Sequence, residues 1–162
     1  MSNVPTIRLA TAADVAVIHE LLQHLAESLG QRSKFRSRTE DFLKYGFSGD
    51  AHFHVLLAEQ DDVAVGLTLF FYNYSSWLGE LGVYIQDIVV TSKARTSGVG
   101  QQLVRETARY AQQHGAAHLR LSVDRDNPGA MRFYEKIGLR ERTDECIYAA
   151  YDSDFRSLVE TP

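Results

Sequence analysis

The stretch from residue 81 to residue 123 restricts the possible folds more than any other part of the chain. Residues 81–90 read as a long strand that ends in Asp87-Ile88-Val89-Val90. A short loop follows, and Arg95-Thr96-Ser97-Gly98-Val99-Gly100-Gln101 opens a helix. Leu103, Val104, Thr107, Ala108 and Ala111 then share one helical face, Gly115 stops the pattern, and 118–123 reads as another strand. Strand, helix and strand in this order predict a right-handed parallel crossover. The loop is also a ready site for an anion: N–H groups at a helix N-terminus point outward and the helix dipole favours negative charge. Gly98 and Gly100 would let a pyrophosphate approach the main chain closely. A P-loop is excluded because no Gly-Lys-Ser/Thr follows, and Gly98-Val99-Gly100-Gln101-Gln102-Leu103 lacks the third glycine of a dinucleotide fingerprint. Taken alone, the loop also fits a glycine-softened helix cap that binds nothing.

Other segments extend the pattern. Ile7 to Leu9 reads as a first strand, and Thr11 with Asp14 resembles a capping box ahead of Ile18, Leu21, Leu22, Leu25 and Leu29 at helical spacing. Gly30 is a natural stop. A second, short helix is expected from Thr39 to Gly46, with Glu40 and Asp41 complementing its dipole. Strands are expected over 53–60 and 63–74, joined at Asp61-Asp62, and a longer turn surrounds Trp77. Asn127-Pro128 starts a helix lined by Ala130, Tyr134 and Ile137 that Gly138 closes. A last strand is expected over 145–151, with a short helix in the tail from Asp154. The order predicts an α/β (α+β) fold, a mixed and mostly antiparallel twisted sheet of about six or seven strands flanked by helices.

Composition narrows the class. With 162 residues, 44% of them hydrophobic, the chain suits a single domain over 1–162 around one core. A net charge of -4 weighs against nucleic acid as the main partner. Cys146 is the only cysteine, which removes an internal disulfide framework and argues against a cysteine-based metal site. Residues 1–8 lack the apolar core of a signal peptide, and no run approaches a membrane span. The expectation is a soluble, cytoplasmic protein with no membrane partner.

A second motif stands one strand beyond the first. Asn127-Pro128-Gly129-Ala130-Met131-Arg132-Phe133-Tyr134-Glu135-Lys136-Ile137-Gly138-Leu139 follows the loop Arg95-Thr96-Ser97-Gly98-Val99-Gly100 in the order found in GNAT N-acetyltransferases. The chain resembles that superfamily, and within it the spermidine/spermine and thialysine N-acetyltransferase branch. The finer marks are residues 7–14, Asp41-Phe42-Leu43 before Gly46-Phe47, Phe71 to Gly79, and Tyr84-Ile85-Gln86-Asp87. The resemblance implies the GNAT fold, acetyl-CoA as co-substrate with no metal, a small-molecule amine as acceptor, and a homodimer. It also implies roles. Arg95, Thr96, Ser97, Gly98, Val99, Gly100 and Gln101 would hold the CoA pyrophosphate, with Asn127 and Tyr134 also on the cofactor. Backbone N–H groups of Ile88, Val89 and Val90 would hold the thioester and pantetheine.

Mechanistic expectations follow from amine chemistry. A lysine-like amine has a pKa near 10.4, so only roughly one part in a thousand is nucleophilic at neutral pH. Tyr134 matches the family tyrosine proposed as general acid to the departing thiolate, although an amphipathic helix would equally bury a tyrosine there. At position 86 the polyamine branch carries a glutamate. Gln86 cannot take a proton, so it is expected to bind substrate, and Asp87 is the nearest replacement as base. Strict alternation puts the two on opposite faces unless a bulge intervenes. Asp87 as a purely structural carboxylate, water as proton carrier, and assistance from His19 or His24 all remain open.

Glu27 matches the region where relatives hold a polyamine. Beyond it stand Arg32, Lys34, Arg36 and Arg38 with no acid between Gln31 and Thr39. Such a basic loop would repel a polycation and suit an acceptor with a carboxylate, or it is simply a solvated surface. Three functions are therefore in contention: a small-molecule N-acetyltransferase acting on a polyamine, amino acid or lysine analogue; a protein or peptide N-acetyltransferase; and a non-catalytic CoA-binding module.

Overall fold

The computed structural model describes residues 4–160. Its first compact unit runs to Ser122 and its second starts at Val123. In the first unit, β1 (Thr6–Leu9), β2 (His54–Gln60), β3 (Val63–Ser75), β4 (Glu80–Val90) and β5 (Ala116–Leu121) lie side by side in chain order. Neighbours from β1 to β4 are antiparallel, and β5 runs parallel to β4. The expected parallel pairing across the helix is therefore present.

The two faces of the sheet are covered by different helices. α1 (Val15–Ser28) and α2 (Thr39–Gly46) bury Ile18, Leu21, Leu22 and Phe42 against Val55, Leu57, Leu67, Leu69 and Val89. On the opposite face α3 (Val99–Gln113) packs along β2 to β5 through Val99, Leu103, Val104, Thr107 and Ala111. One polar contact lies within that apolar layer: Thr68 and Thr107, both fully buried, join their hydroxyls at 2.8 Å. Thr107 also donates to the Leu103 carbonyl, so this pair has its hydrogen bonds made and pins α3 to β3.

Local signals act as the residues suggest. Asp61 and Asp62 both take left-handed φ values of 51° and 60°, which a two-residue hairpin of the primed type needs and Asp tolerates. At the first helix the Thr11 N–H donates to Asp14 at 2.7 Å, closing the capping box over a 3-10 turn at Ala12–Asp14.

The second unit holds α4 (Pro128–Lys136) and α5 (Asp152–Glu160), the latter matching the short helix expected in the tail. One expectation needs correction. The sheet has five strands, not six or seven, because residues 145–150 form no strand. Residues 145–149 are exposed, Tyr148 at 95%. A β-patterned stretch becomes a strand only when its N–H and C=O groups join a ladder, and among the described residues 145–150 join none.

Arg8 joins three elements of the first unit. Its guanidinium meets Asp14 at 2.8 Å and Glu59 at 2.7 Å, tying β1 to β2 and to the start of α1. The hydrogen bond from Arg8 holds the Asp14 carboxyl well below the usual carboxylate range. A depressed pKa in the fold means stability that is present above the unfolded value and lost as pH falls below it. Asp14→Asn should therefore lower the unfolding free energy at pH 7 by about 1–2 kcal/mol, allowing for solvent screening. The gap from wild type should narrow as the pH drops below 4, which urea titrations at pH 7 and pH 3 will show.

Candidate active site

Pairing between β4 and β5 begins at Leu81 with Ala116 and ends at Ile85 with Leu121. Pairing between β4 and β3 continues to Val90 opposite Gly66. From Gln86 to Val90, then, β4 has a neighbour on one side only. That one-sided stretch spans roughly 16 Å of extended chain, with backbone N–H and C=O groups directed into the opening. Ile88, Val89 and Val90, the residues expected to hold a thioester, all lie on it.

The opening starts where the register of β4 breaks. Leu69 faces Asp87 while the next residue, Phe70, faces Ile85, so Gln86 is an extra residue in a β-bulge. Without the bulge, Tyr84 and Asp87 would point to opposite faces. With it, both share the α1 face: Asp87 is opposite Leu69, and Tyr84 is opposite Phe71. Gln86 itself is exposed. Asp87 is half-buried, and desolvation pushes its carboxyl up to about 6, where it exchanges a proton close to neutral pH. Nearby, the Tyr84 hydroxyl lies 2.6 Å from that of Ser122.

At the far end of the opening is the loop that leads into α3. Arg95 folds back to donate from Nε to the Val90 carbonyl at 3.3 Å. Ser97 donates to the Ala94 carbonyl at 2.8 Å, which tightens the turn. Gly98 is the N-cap, left-handed at φ 80°, and an added Cβ there would meet nothing within 4 Å. No side chain caps this helix, so the first-turn N–H groups of Val99, Gly100 and Gln101 are left to a ligand or water. Val99 is wholly buried and offers only its main chain. Thr96, Ser97 and Gln102 also border a cavity of about 440 Å³ toward Gln60 and Asp61. A carboxylate on its wall makes that side a poor place for phosphate, which the open face at Gly98 fits better. The donor set and the space suit a pyrophosphate.

Two predicted residues lie in the second unit. Asn127 accepts the Ala130 N–H at 3.1 Å and so caps α4, with Pro128 in the first turn. Tyr134 is buried on α4, and desolvation pushes its phenol up to about 12, so it keeps its proton at neutral pH.

Glu27 lies in the last turn of α1. Its carboxylate takes a hydrogen bond from Gln23 at 3.2 Å and faces Arg32 at 3.6 Å. Within the basic loop, Arg38 lies 3.9 Å from Asp41. His19 meets the Ser37 carbonyl at 3.0 Å and packs its ring on Phe35 and Phe42, a structural role. Sequence reasoning gave no role to Tyr84 or Ser122, because they are 38 residues apart and meet only across paired strands.

Comparison with known proteins shows the family. The chain belongs to the acetyltransferase (GNAT) family, whose model matches residues 17–139. Thialysine N-epsilon-acetyltransferase of Bos taurus is 30% identical over 146 residues, covering 85% of each chain. L-ornithine N5-acetyltransferase NATA1 of Arabidopsis thaliana is 37% identical over a shorter 78 residues, covering 48% of this chain and 34% of that protein. Among solved structures, an integron cassette protein from V. cholerae superposes with a TM-score of 0.79 at 22% identity over 99% of both chains. The GNAT fold and acetyltransferase class expected from the motifs are thus correct.

Two tests follow from the site. The raised pKa of Asp87 means that the fold binds a proton there more tightly than the unfolded chain does. Its burial therefore costs nothing below about pH 3, costs stability progressively between about pH 4 and pH 6, and levels off above that. Asp87→Asn should be more stable than wild type at pH 8, by about 2–3 kcal/mol at most, with the difference gone by about pH 3. For the loop, Gly98→Asn keeps a residue that tolerates the left-handed conformation, whereas Gly98→Asp adds a charge of the same shape. Thermal stabilisation by acetyl-CoA should persist largely in the first and vanish in the second. Equal shifts in both would remove the loop from the cofactor site.

Proposed function

We propose that this chain transfers the acetyl group of acetyl-CoA to the primary amine of a small molecule that also carries a carboxylate, an amino acid or lysine analogue. The observation that carries the reading is the half-buried Asp87 carboxyl, turned by the Gln86 bulge beside the open edge of β4. The pyrophosphate rests on the N–H groups of Val99, Gly100 and Gln101, with Arg95, Thr96, Ser97 and Gly98 around it. The pantetheine lies along residues 86–90, and N–H groups of Ile88, Val89 and Val90 polarise the thioester carbonyl. Because the amine arrives protonated, Asp87 takes its proton while Gln86 hydrogen-bonds the acceptor. The freed lone pair attacks the carbonyl carbon, the C–S bond breaks, Tyr134 on α4, capped by Asn127, protonates the leaving thiolate, and the nitrogen gives up its second proton to solvent as the amide forms. Solvent returns the phenol proton.

Several observations support the acceptor class. Thialysine and ornithine, in the names of the two relatives, are amines that bear a carboxylate. Glu27, the carboxylate that would hold a polyamine, already faces Arg32. The family match crosses from the first unit into the second, which supports one working domain over the whole length. Family resemblance also supports a homodimer. Cys146, a free thiol exposed at the surface, suits a reducing cytoplasm, and among the described residues no helix is long and apolar enough to cross a membrane.

Steady-state kinetics with a panel of amines should give a higher kcat/KM for lysine analogues than for spermidine. The reverse order would sink the carboxylate assignment, and preference for a protein substrate would replace it with a peptide acceptor. Tyr134→Phe should lower kcat by roughly 10² while acetyl-CoA binding changes little, since the ring remains. Wild-type kcat/KM should bend near pH 6 as Asp87 ionises. In Asp87→Asn it should instead keep rising toward the pKa of the amine.

A further inference from the structure

The fork between β4 and β5 has a closed end, and two hydroxyls stand at it. Ile85 and Leu121 form the last ladder pair. Tyr84 is the residue just before that pair on β4, and Ser122 the residue just after it on β5. Their oxygens meet at 2.6 Å across the fork, on the α1 face that Asp87 also occupies. The Tyr84 ring is held in place, stacked on Phe71 at 5.3 Å with an interplanar angle of 27°. A thioester laid along the open edge from the Gly98 loop brings its acyl carbon toward this end, where the opening narrows to nothing.

An attacking amine makes a specific demand here. Its lone pair must point at the thioester carbon, so its N–H groups need acceptors, and no donor can be allowed to occupy the lone pair. A free tyrosine hydroxyl would be such a donor. The contact admits either hydroxyl as donor, and the greater acidity of the phenol favours Tyr84 donating to Ser122. The Tyr84 oxygen is then left with lone pairs only. Together with the Asp87 carboxylate it offers two acceptors on one face.

We infer that Tyr84 Oη accepts a hydrogen bond from the amine being acetylated, and that Ser122 is a positioning residue which keeps the phenol hydrogen off the amine lone pair. The assignment rests on the acetyltransferase reading above and adds a selection rule to it: the acceptor is an unhindered amine that still carries an N–H for Tyr84 once Asp87 has taken its proton.

The two roles separate in steady-state kinetics with both substrates varied. Tyr84→Phe should raise the KM for the amine tenfold or more, with the KM for acetyl-CoA within twofold of wild type. Ser122→Ala should bind the amine almost normally, its KM changing less than threefold. Its kcat should fall about tenfold, because the released phenol hydrogen then occupies the lone pair, and Ser122→Thr should restore most of that loss. Thermal melts confirm folding of each variant, and Ser122→Ala carries the test alone should the tyrosine variant fail to fold. An active wild type with unchanged amine KM in Tyr84→Phe, or unchanged kcat in Ser122→Ala, overturns the assignment and leaves the acetyltransferase reading standing. Absence of acetyl-CoA turnover by wild type with every amine overturns both.

Discussion

β4 is hydrogen-bonded on both sides as far as Ile85 and on one side only from Gln86 to Val90. Every functional feature of the first unit takes its position from that change. Backbone polar groups left unpaired inside a protein are costly, so a strand that loses a neighbour needs water or a ligand along its edge. The bulge at Gln86 falls where the change occurs. Bulges bend a strand and raise its local twist, which is the motion that turns the end of β4 away from β5. The same extra residue rotates Asp87 onto the face of Tyr84. One inserted residue thus opens the groove and aims the carboxylate.

The helix between the two strands keeps the groove in register with the anion loop. Val99 and Leu103 are wholly buried, and the Thr68–Thr107 hydrogen bond fixes α3 along β3. With α3 fixed, Gly98 and the uncapped first turn face the far end of the open edge. A helix cap made by a side chain would have closed that position. Glycine there leaves the N–H groups to a ligand or water at a cost of only about a few tenths of a kcal/mol relative to a capping side chain.

The two perturbed carboxyls of the first unit act on stability in opposite directions. Asp14 is held ionised by Arg8 and contributes to the fold at neutral pH, whereas Asp87 is held toward its neutral form by burial and opposes it. A carboxyl that titrates near pH 6 is a better proton acceptor than one held at the usual value, because it binds the proton more tightly while remaining mostly ionised at pH 7. Elsewhere in the first unit Glu27 faces Arg32 at 3.6 Å, and the loop that follows is basic.

Much of this was legible from residues alone. The Gly98 loop, the Asn127 cap, the Asp61-Asp62 hairpin and the Thr11–Asp14 capping box are local, set by neighbours within a few positions, and their side chains state the conformation directly. Position 86 was legible as chemistry, since an amide cannot act as the base a glutamate would be. Residues 145–151 were misread as a strand because alternation records only what a segment could pair with. The facing of Asp87 and the contact of Tyr84 with Ser122 were out of reach for a related reason. Register is a relation between strands, and a shift of one residue reverses every side chain beyond it. The sequence by itself determined the family, the glycine-containing loop at the start of α3 and the kinds of titratable residue present. Tertiary structure alone decided which of them share a face, because a bulge and the end of a ladder exist only once β3, β4 and β5 are paired.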